Sequence, residues 1–373
     1  MPVTISKVTS RSQMRDFVNF PETLYKDNPY WVPELVGDMY DTFNPRKNAA
    51  FEYCEAQCFL AYKDGRLSGR VAAIINHNAN KVWGDIVRFG WIDFIEDEEV
   101  VEALVGAVQD WGRERGCDTL KGTWGFTDMD REGTLVEGFD KLSSFTCIYN
   151  YPYYDVLLKK AGLQPEAEWS QRLVHIPTQI PERIARLADA VENKYNLHEY
   201  EAKSMSKIIG KYGMELFHLY NKSFSKLEEF SPLTDKQIEQ YIASYKSVLN
   251  PDFVALVVNG RGELAGFGIC VPTISMAIKK SRGRLLPFGL FRILRALKHN
   301  DTIEAMLIGV HPEYEGRGVS LLIFRHMLKG CAKMGITRMI MNPQLLSNHK
   351  VQNLFDGYDV EPYTLRRAYV KHF

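Results

Sequence analysis

Cysteine is scarce in this chain. There are six in 373 residues, Cys54, Cys58, Cys117, Cys147, Cys270 and Cys331, too few and too irregular for a disulfide framework. Cys54 and Cys58 have no second Cys/His pair beside them, so no metal site is expected. An apolar run of the ~20 residues needed to cross a bilayer is missing as well. The opening MPVTISKVTSRSQMRDF has no apolar signal core, and reduced thiols in a cytoplasmic protein are the plain expectation. Net charge is also absent, with 46 Lys+Arg against 46 Asp+Glu. That balance speaks against nucleic acid as a partner.

The neutral total hides an asymmetry. Residues 1–176 hold 19 Lys+Arg against 27 Asp+Glu, whereas residues 177–373 hold 27 against 19. Only the second half suits a polyanionic ligand. The length predicts two domains, and 45% apolar with 25% charged residues is ordinary for a globular protein.

The most informative stretch is TIEAMLIGVHPEYEGRGVSLLIFRHMLKG, residues 302–330. Its first part is apolar on both faces apart from Glu304, as in an interior strand. His311-Pro312 stops the strand, and Gly316 and Gly318 mark a bend. Leu321, Leu322, Phe324, Leu328, Cys331 and Ala332 then recur at helical spacing, leaving Arg325 and Lys329 free to face water. A strand that enters a helix through glycines is a general anion site, because first-turn N–H groups point outward and the helix dipole favours negative charge.

The spacing resembles motif A of the GNAT acyltransferase superfamily, R/Q-x-x-G-x-G/A, which cradles the diphosphate of acyl-CoA. The six positions fall on Glu315, Gly316, Arg317, Gly318, Val319 and Ser320, with Glu315 replacing the usual Arg or Gln and Ser320 the last small residue. The resemblance implies that Gly316, Arg317, Gly318, Val319 and Ser320 hold the diphosphate. It implies too that Ile308 and Val310 offer strand backbone groups to the pantetheine arm. Asn348 opens a segment like the family's C-terminal motif, as a helix cap or a pantetheine ligand. The phenol that often protonates the leaving thiolate is replaced by Phe355, and Tyr358 is the nearest alternative.

Both halves show the family's order of strands and helices. The expected fold class is therefore α/β (α+β), two tandem GNAT-like domains, each a twisted mixed sheet flanked by helices. The expected divisions are a degenerate copy over 1–176, a linker over 177–196, and an acyl-CoA-binding copy over 197–373 with a basic insertion at 275–300. The first copy has Ile95-Glu96-Asp97-Glu98-Glu99 at the helix start, good for the helix dipole and bad for a phosphate.

Glu304, a lone carboxylate in an apolar strand, is either a general base with a raised pKa or an exposed structural partner of a lysine. In the first half, Asp128, Asp130, Glu132 and Tyr149 lie in acidic, aromatic segments suited to an amine. The insertion carries seven Lys/Arg and no acid over 279–299. It reads as a lid, a membrane-surface helix, or a dock for the acidic first half, with packing against the protein favoured over membrane contact. The implied reaction is direct transfer from acetyl-CoA, or another acyl-CoA, to the amine of a small molecule or peptide, without metal. An aminoacyl-tRNA-dependent transferase of the FemABX kind, and a non-catalytic CoA or metabolite sensor, stand as alternatives.

Overall fold

Local chemistry sets the first elements. After β1 (Thr4–Lys7), a capping box opens α1 (Arg11–Leu24): Ser10 Oγ accepts from the Gln13 N–H and Gln13 Oε1 from the Ser10 N–H. The computed structural model describes residues 2–227, 229–347 and 359–373. Helix α2 (Val36–Thr42) lies in a segment whose Pro, Asn and Asp content predicts loop. The hairpin of β2 (Cys54–Lys63) and β3 (Arg66–Asn76) follows, then α3 (His77–Trp83) and β4 (Ile86–Phe94). Helix α4 (Glu98–Arg113) buries the stripe Val100, Val101, Leu104, Val105, Val108 and Trp111 that its sequence predicts. The first half closes with β5 (Thr119–Gly122), β6 (Thr134–Glu137), α5 (Tyr153–Lys160) and β7 (Gln164–His175).

The second half repeats the plan. It runs through α6 (Glu182–Tyr195), β8 (Leu197–Glu199), α7 (Met205–Phe224), α8 (Asp235–Tyr245), β9 (Val254–Asn259) and β10 (Leu264–Pro272). The insertion holds α9 (Ser275–Lys280) and α10 (Gly289–Ala296). After it come β11 (Thr302–Val310), α11 (Val319–Met334), β12 (Arg338–Ile340), β13 (Gln344–Leu345) and β14 (Val360–His372).

One sheet spans both halves, in the order β1-β2-β3-β4-β5-β14-β7-β12-β11-β10-β9-β8. Each half lends its last strand to the other. β7 lies beside β12, with Arg338 opposite His175, while β14 lies beside β5, with Tyr369 opposite Gly122. The lent strands also pair with each other, from Val360–Val174 to Val370–Gln164. The first part of β14, Val360 to Thr364, is held by β7 alone, and from Leu365 on the strand is paired on both edges.

Helix α11 corrects one sequence expectation. Arg325 does not face water. It is buried against Asp189 (2.7 Å) and Glu192 (2.8 Å) of α6 and Glu199 of β8, and Lys329 shares Glu199 (2.7 Å). Three carboxylates brought from outside the helix make that burial tolerable, and none of them is visible in the helix's own periodicity.

Candidate functional site

The site begins where two parallel strands part. β11 and β12 pair only at Thr302–Arg338, Ile303–Met339 and Glu304–Ile340. Beyond Glu304, β11 runs six more residues with no described strand on that edge. On its other edge it stays paired to β10, and the His311 N–H donates to Ala265 O (2.9 Å). Counted back from His311, strand alternation turns the backbone groups of Ile308 and Val310 toward the opening, and a bulge at Met306 interrupts the register with β10. Ile308 and Val310 are the two positions expected to meet a pantetheine arm. The Val310 carbonyl already accepts from Ser223 Oγ at the end of α7 (3.0 Å), and Lys222 Nζ contacts His311 Nε2 (2.8 Å). Neither contact was legible from the periodicity of α7.

At the top of β11, Pro312–Tyr314 makes one tight turn and the chain passes Gly316 (φ +73°) and Gly318 (φ +80°) into α11. Both glycines are in the left-handed region that L side chains avoid. A Cβ on Gly318 would meet Val191 of α6 at 2.7 Å, so a glycine is required there. Around Gly316 there is open space. No side chain caps the first turn of α11, so the N–H groups at Val319 and Ser320 are left for an outside acceptor. Glu315 is exposed. The Arg317 guanidinium sits over the rings of Tyr195 (5.6 Å) and Tyr314 (5.5 Å). The bend, the open space and the bare helix start fit a diphosphate. Asn348 and Tyr358 lie outside the described residues.

The first half packs on the same apolar cluster as β11. Between β5 and β6 the chain carries Asp128, Asp130 and Glu132, half-buried side chains enclosed by protein. Met129, between two of them, packs on the same apolar cluster as Met306 and Leu307 of β11. Burial pushes Asp128 up to about 7, with Glu229 and Asp130 adding to the rise and Arg88 opposing it. Burial lifts Asp130 to about 6, although its Oδ2 accepts from the Phe126 (2.7 Å) and Thr127 (3.2 Å) N–H groups. Glu132 is raised well above the carboxylate range, first by burial and then by Asp128. Arg88, also buried, binds Glu229 Oε2 (3.4 Å) and Glu229 O (2.9 Å) in the α7–α8 loop, and Lys121 meets Glu229 Oε1 (2.9 Å). Arg88 and Glu229, which set the electrostatics here, carry no motif by which sequence would find them.

Glu304 lies deeper. It is 1% exposed, and its oxygens accept from Ser144 Oγ, Thr273 Oγ1 and Ser275 Oγ (3.2 Å). The exposed pairing with a lysine that sequence allows is not what forms. Burial raises its pKa, and the three hydroxyls pull it back down. The arrangement clamps the 143–146 loop of the first half to the start of the insertion. Glu304→Ala removes the acceptor shared by the Ser144, Thr273 and Ser275 hydroxyls and is expected to cost about 2–4 kcal/mol, read as a lowered urea midpoint at constant m-value. A midpoint within error of the native one would show that the clamp is slack.

No protein-family profile matches the chain. Among solved structures, a tandem GNAT protein from the clavulanic acid biosynthesis pathway superposes with TM-score 0.57 at 12% identity, covering 99% of this chain and 98% of its own. A GCN5-related N-acetyltransferase from Sphaerobacter thermophilus gives TM-score 0.54 at 11% identity over 99% and 95%. The chain has a tandem GNAT fold. Two curated proteins are similar over nearly their whole length. Protein YghO of Escherichia coli is 26% identical over 375 residues (97% of this chain, 93% of that protein), and the bacterial ceramide synthase of Caulobacter vibrioides is 24% identical over 386 (99% and 97%).

Within this tandem GNAT fold the two copies differ at the helix start. α4 is capped by Asp97, whose side chain accepts from the Val100 N–H (3.3 Å). Lys63 binds Asp97 (2.5 Å) and Glu99 (2.9 Å), and Lys160 binds Glu98 (2.6 Å). A phosphate would have to displace a built-in carboxylate there. The first-copy split between β4 and β5 is filled as well: Trp124 N–H donates to Phe89 O (2.9 Å), and a Cβ on Gly90 would strike the Trp124 carbonyl. Past it lie Asp93, bound to Arg70 and Tyr25 (both 2.8 Å), and a cavity of about 70 Å³. Tyr149 lines that cavity, donates to Phe139 O (2.9 Å) and accepts from Asn28 (3.1 Å). It belongs to this aromatic nest, and no described contact joins it to the three carboxylates. Among the described residues, no His/Cys/Asp/Glu group is arranged to hold a metal ion.

Proposed function

We propose that the protein is an acyl-CoA-dependent N-acyltransferase. The observation that carries this reading is the edge of β11 past Glu304, which pairs with no described strand and runs into a glycine-led helix start that has no side-chain N-cap. Gly316, Arg317, Gly318, Val319 and Ser320 hold the diphosphate, and Ile308 lends its backbone to the pantetheine arm. When bound, acyl-CoA supplies an activated thioester carbonyl. Asp128, with a pKa near neutrality, attracts a cationic amine when ionised and takes the proton the amine must lose before it attacks, while Glu132, held protonated by burial and by Asp128, can offer the amine a neutral carboxyl. Glu304, which sequence allows as a base or as a structural partner, serves here to clamp the first half to the start of the insertion.

Acetyl is the acyl group that the sequence suggests, with a small-molecule or peptide amine as acceptor. Similarity to the bacterial ceramide synthase of Caulobacter supports a longer acyl chain and a lipid amine, since a ceramide is the amide of a long-chain amino alcohol. Thiol release from acetyl- and long-chain acyl-CoA, each offered a panel of amines that includes amino alcohols, separates the two. CoA binding without thiol release from any pair would instead mark a sensor.

The helix start is tested by Ser320→Asp. A carboxylate in the first turn favours the helix dipole by about 0.3–1 kcal/mol, so stability should hold or rise slightly. The same charge repels a diphosphate, and calorimetric CoA affinity should fall about tenfold or more. Equal affinity in the two proteins would refute the assignment.

A further inference from the structure

Of the twelve large apolar side chains exposed among the described residues, six lie within ten positions of the insertion. They are Leu285, Leu286, Phe288, Leu290, Phe291 and Leu294, with Leu286 at 79%, Phe291 at 67% and Phe288 at 64% exposure. Soluble surfaces do not usually concentrate apolar side chains in this way.

The segment is nevertheless firmly built. Ile293 is buried with Ile274, Ala277 and Ile278 against Val32 and Leu35 of the first half. Lys279 Nζ donates to Asn28 O (2.8 Å) and Trp31 O (2.9 Å), Arg284 pairs with Glu22 (2.8 Å), and the Val36 N–H donates to Gly283 O (2.9 Å). The docking of the basic insertion on the acidic half is therefore real, but it uses only the inner side of α10. On a helical wheel the outward arc of α10 runs Leu290, Leu294, Phe291 and then Arg295 and Arg292, and Lys298 follows just past the end of the helix. Lys280, Arg292, Arg295 and Lys298 are exposed, and no carboxylate partner is recorded for them among the described residues. A bare apolar arc bordered by unneutralised cations has the chemistry of an interfacial helix.

We infer that this edge, Leu285 to Lys298, docks the protein onto an anionic lipid bilayer. The phenylalanine and leucine side chains enter the acyl boundary while the arginines and Lys298 meet the headgroups. No described helix is long and apolar enough to cross the membrane, so the contact is made in the plane of the surface. The inference stands apart from the transfer chemistry, because it needs neither CoA nor acceptor.

The test is co-sedimentation of the full chain with vesicles of phosphatidylcholine, with and without phosphatidylglycerol. Binding is expected only to the anionic vesicles and should weaken in high salt. Phe288→Ser with Phe291→Ser, and separately Arg295→Glu with Lys298→Glu, should each weaken partitioning about tenfold or more. All four side chains are exposed, so the thermal midpoint should not move. The inference is overturned if the native chain ignores anionic vesicles, or if both double variants bind as it does. It is also overturned if the variants instead abolish self-association in the absence of lipid, which would assign the edge to a second copy of the chain.

Discussion

Asp128→Asn is expected to lower kcat/KM for amine acylation by about 10²–10⁴-fold, the range lost when a positioned base is removed, with CoA affinity unchanged. The native profile should rise with pH through about 7, where Asp128 sheds its proton, and the variant should lose that limb. Stability moves the other way. The folded pKa lies above the unfolded value of 3.8, so the folded chain binds this proton more tightly than the unfolded chain does. The contribution is therefore greatest below about pH 4 and is lost as pH rises toward about 7. Asparagine never ionises, so at pH 8 the variant should be more stable than the native protein by about 1–3 kcal/mol, discounted for partial solvent access. Loss of activity together with gain of stability is a pattern that a merely structural residue would not give. If Asp128→Asn turns over normally while Glu304→Gln does not, the base is Glu304 and Asp128 only attracts the amine.

What sequence could and could not reveal follows from the range of the interactions. Val319 to Met334 was legible because its stripe, its glycine entry and Gly335 at its close are local. So was α4, whose stripe and acidic first turn lie within one helix. The repeated order of elements likewise follows from local patterns and carries the fold class. By contrast, Arg325 looks like a water-facing residue until Asp189, Glu192 and Glu199 arrive from other elements. Glu304 could be read as base or as surface partner because its three hydroxyl donors come from 31, 29 and 160 residues away. The exchange of β7 and β14 leaves no trace in either strand, since each would serve equally well beside its own half. Asp128, Asp130 and Glu132 could be singled out as acidic, but their raised pKa values come from enclosure and from the neighbouring charges.

Glu229→Ala tests whether the halves act as one body. Arg88 and Glu229 are each 1% exposed and come from opposite halves. Removing the carboxylate takes away the ion-pair partner of buried Arg88 and leaves its hydrogen bonds to the carbonyls of Glu229 and Gly125, while Lys121 keeps Glu166 at 2.7 Å. Uncompensated burial of that kind costs about 3–5 kcal/mol. Because β7 and β14 are exchanged, neither half can unfold without breaking the other's sheet, so the loss should appear as one shifted transition in urea, the same by fluorescence and by circular dichroism. A first step that leaves half the ellipticity intact would show that the copies unfold independently. The substitution should also reach the proposed chemistry. Glu229 holds the Asp128 pKa up and Arg88 pulls it down, so deleting Glu229 and freeing Arg88 both favour the ionised aspartate. The rising limb of kcat/KM should then move to lower pH in Glu229→Ala, whereas a purely structural lesion would lower the whole profile without moving it.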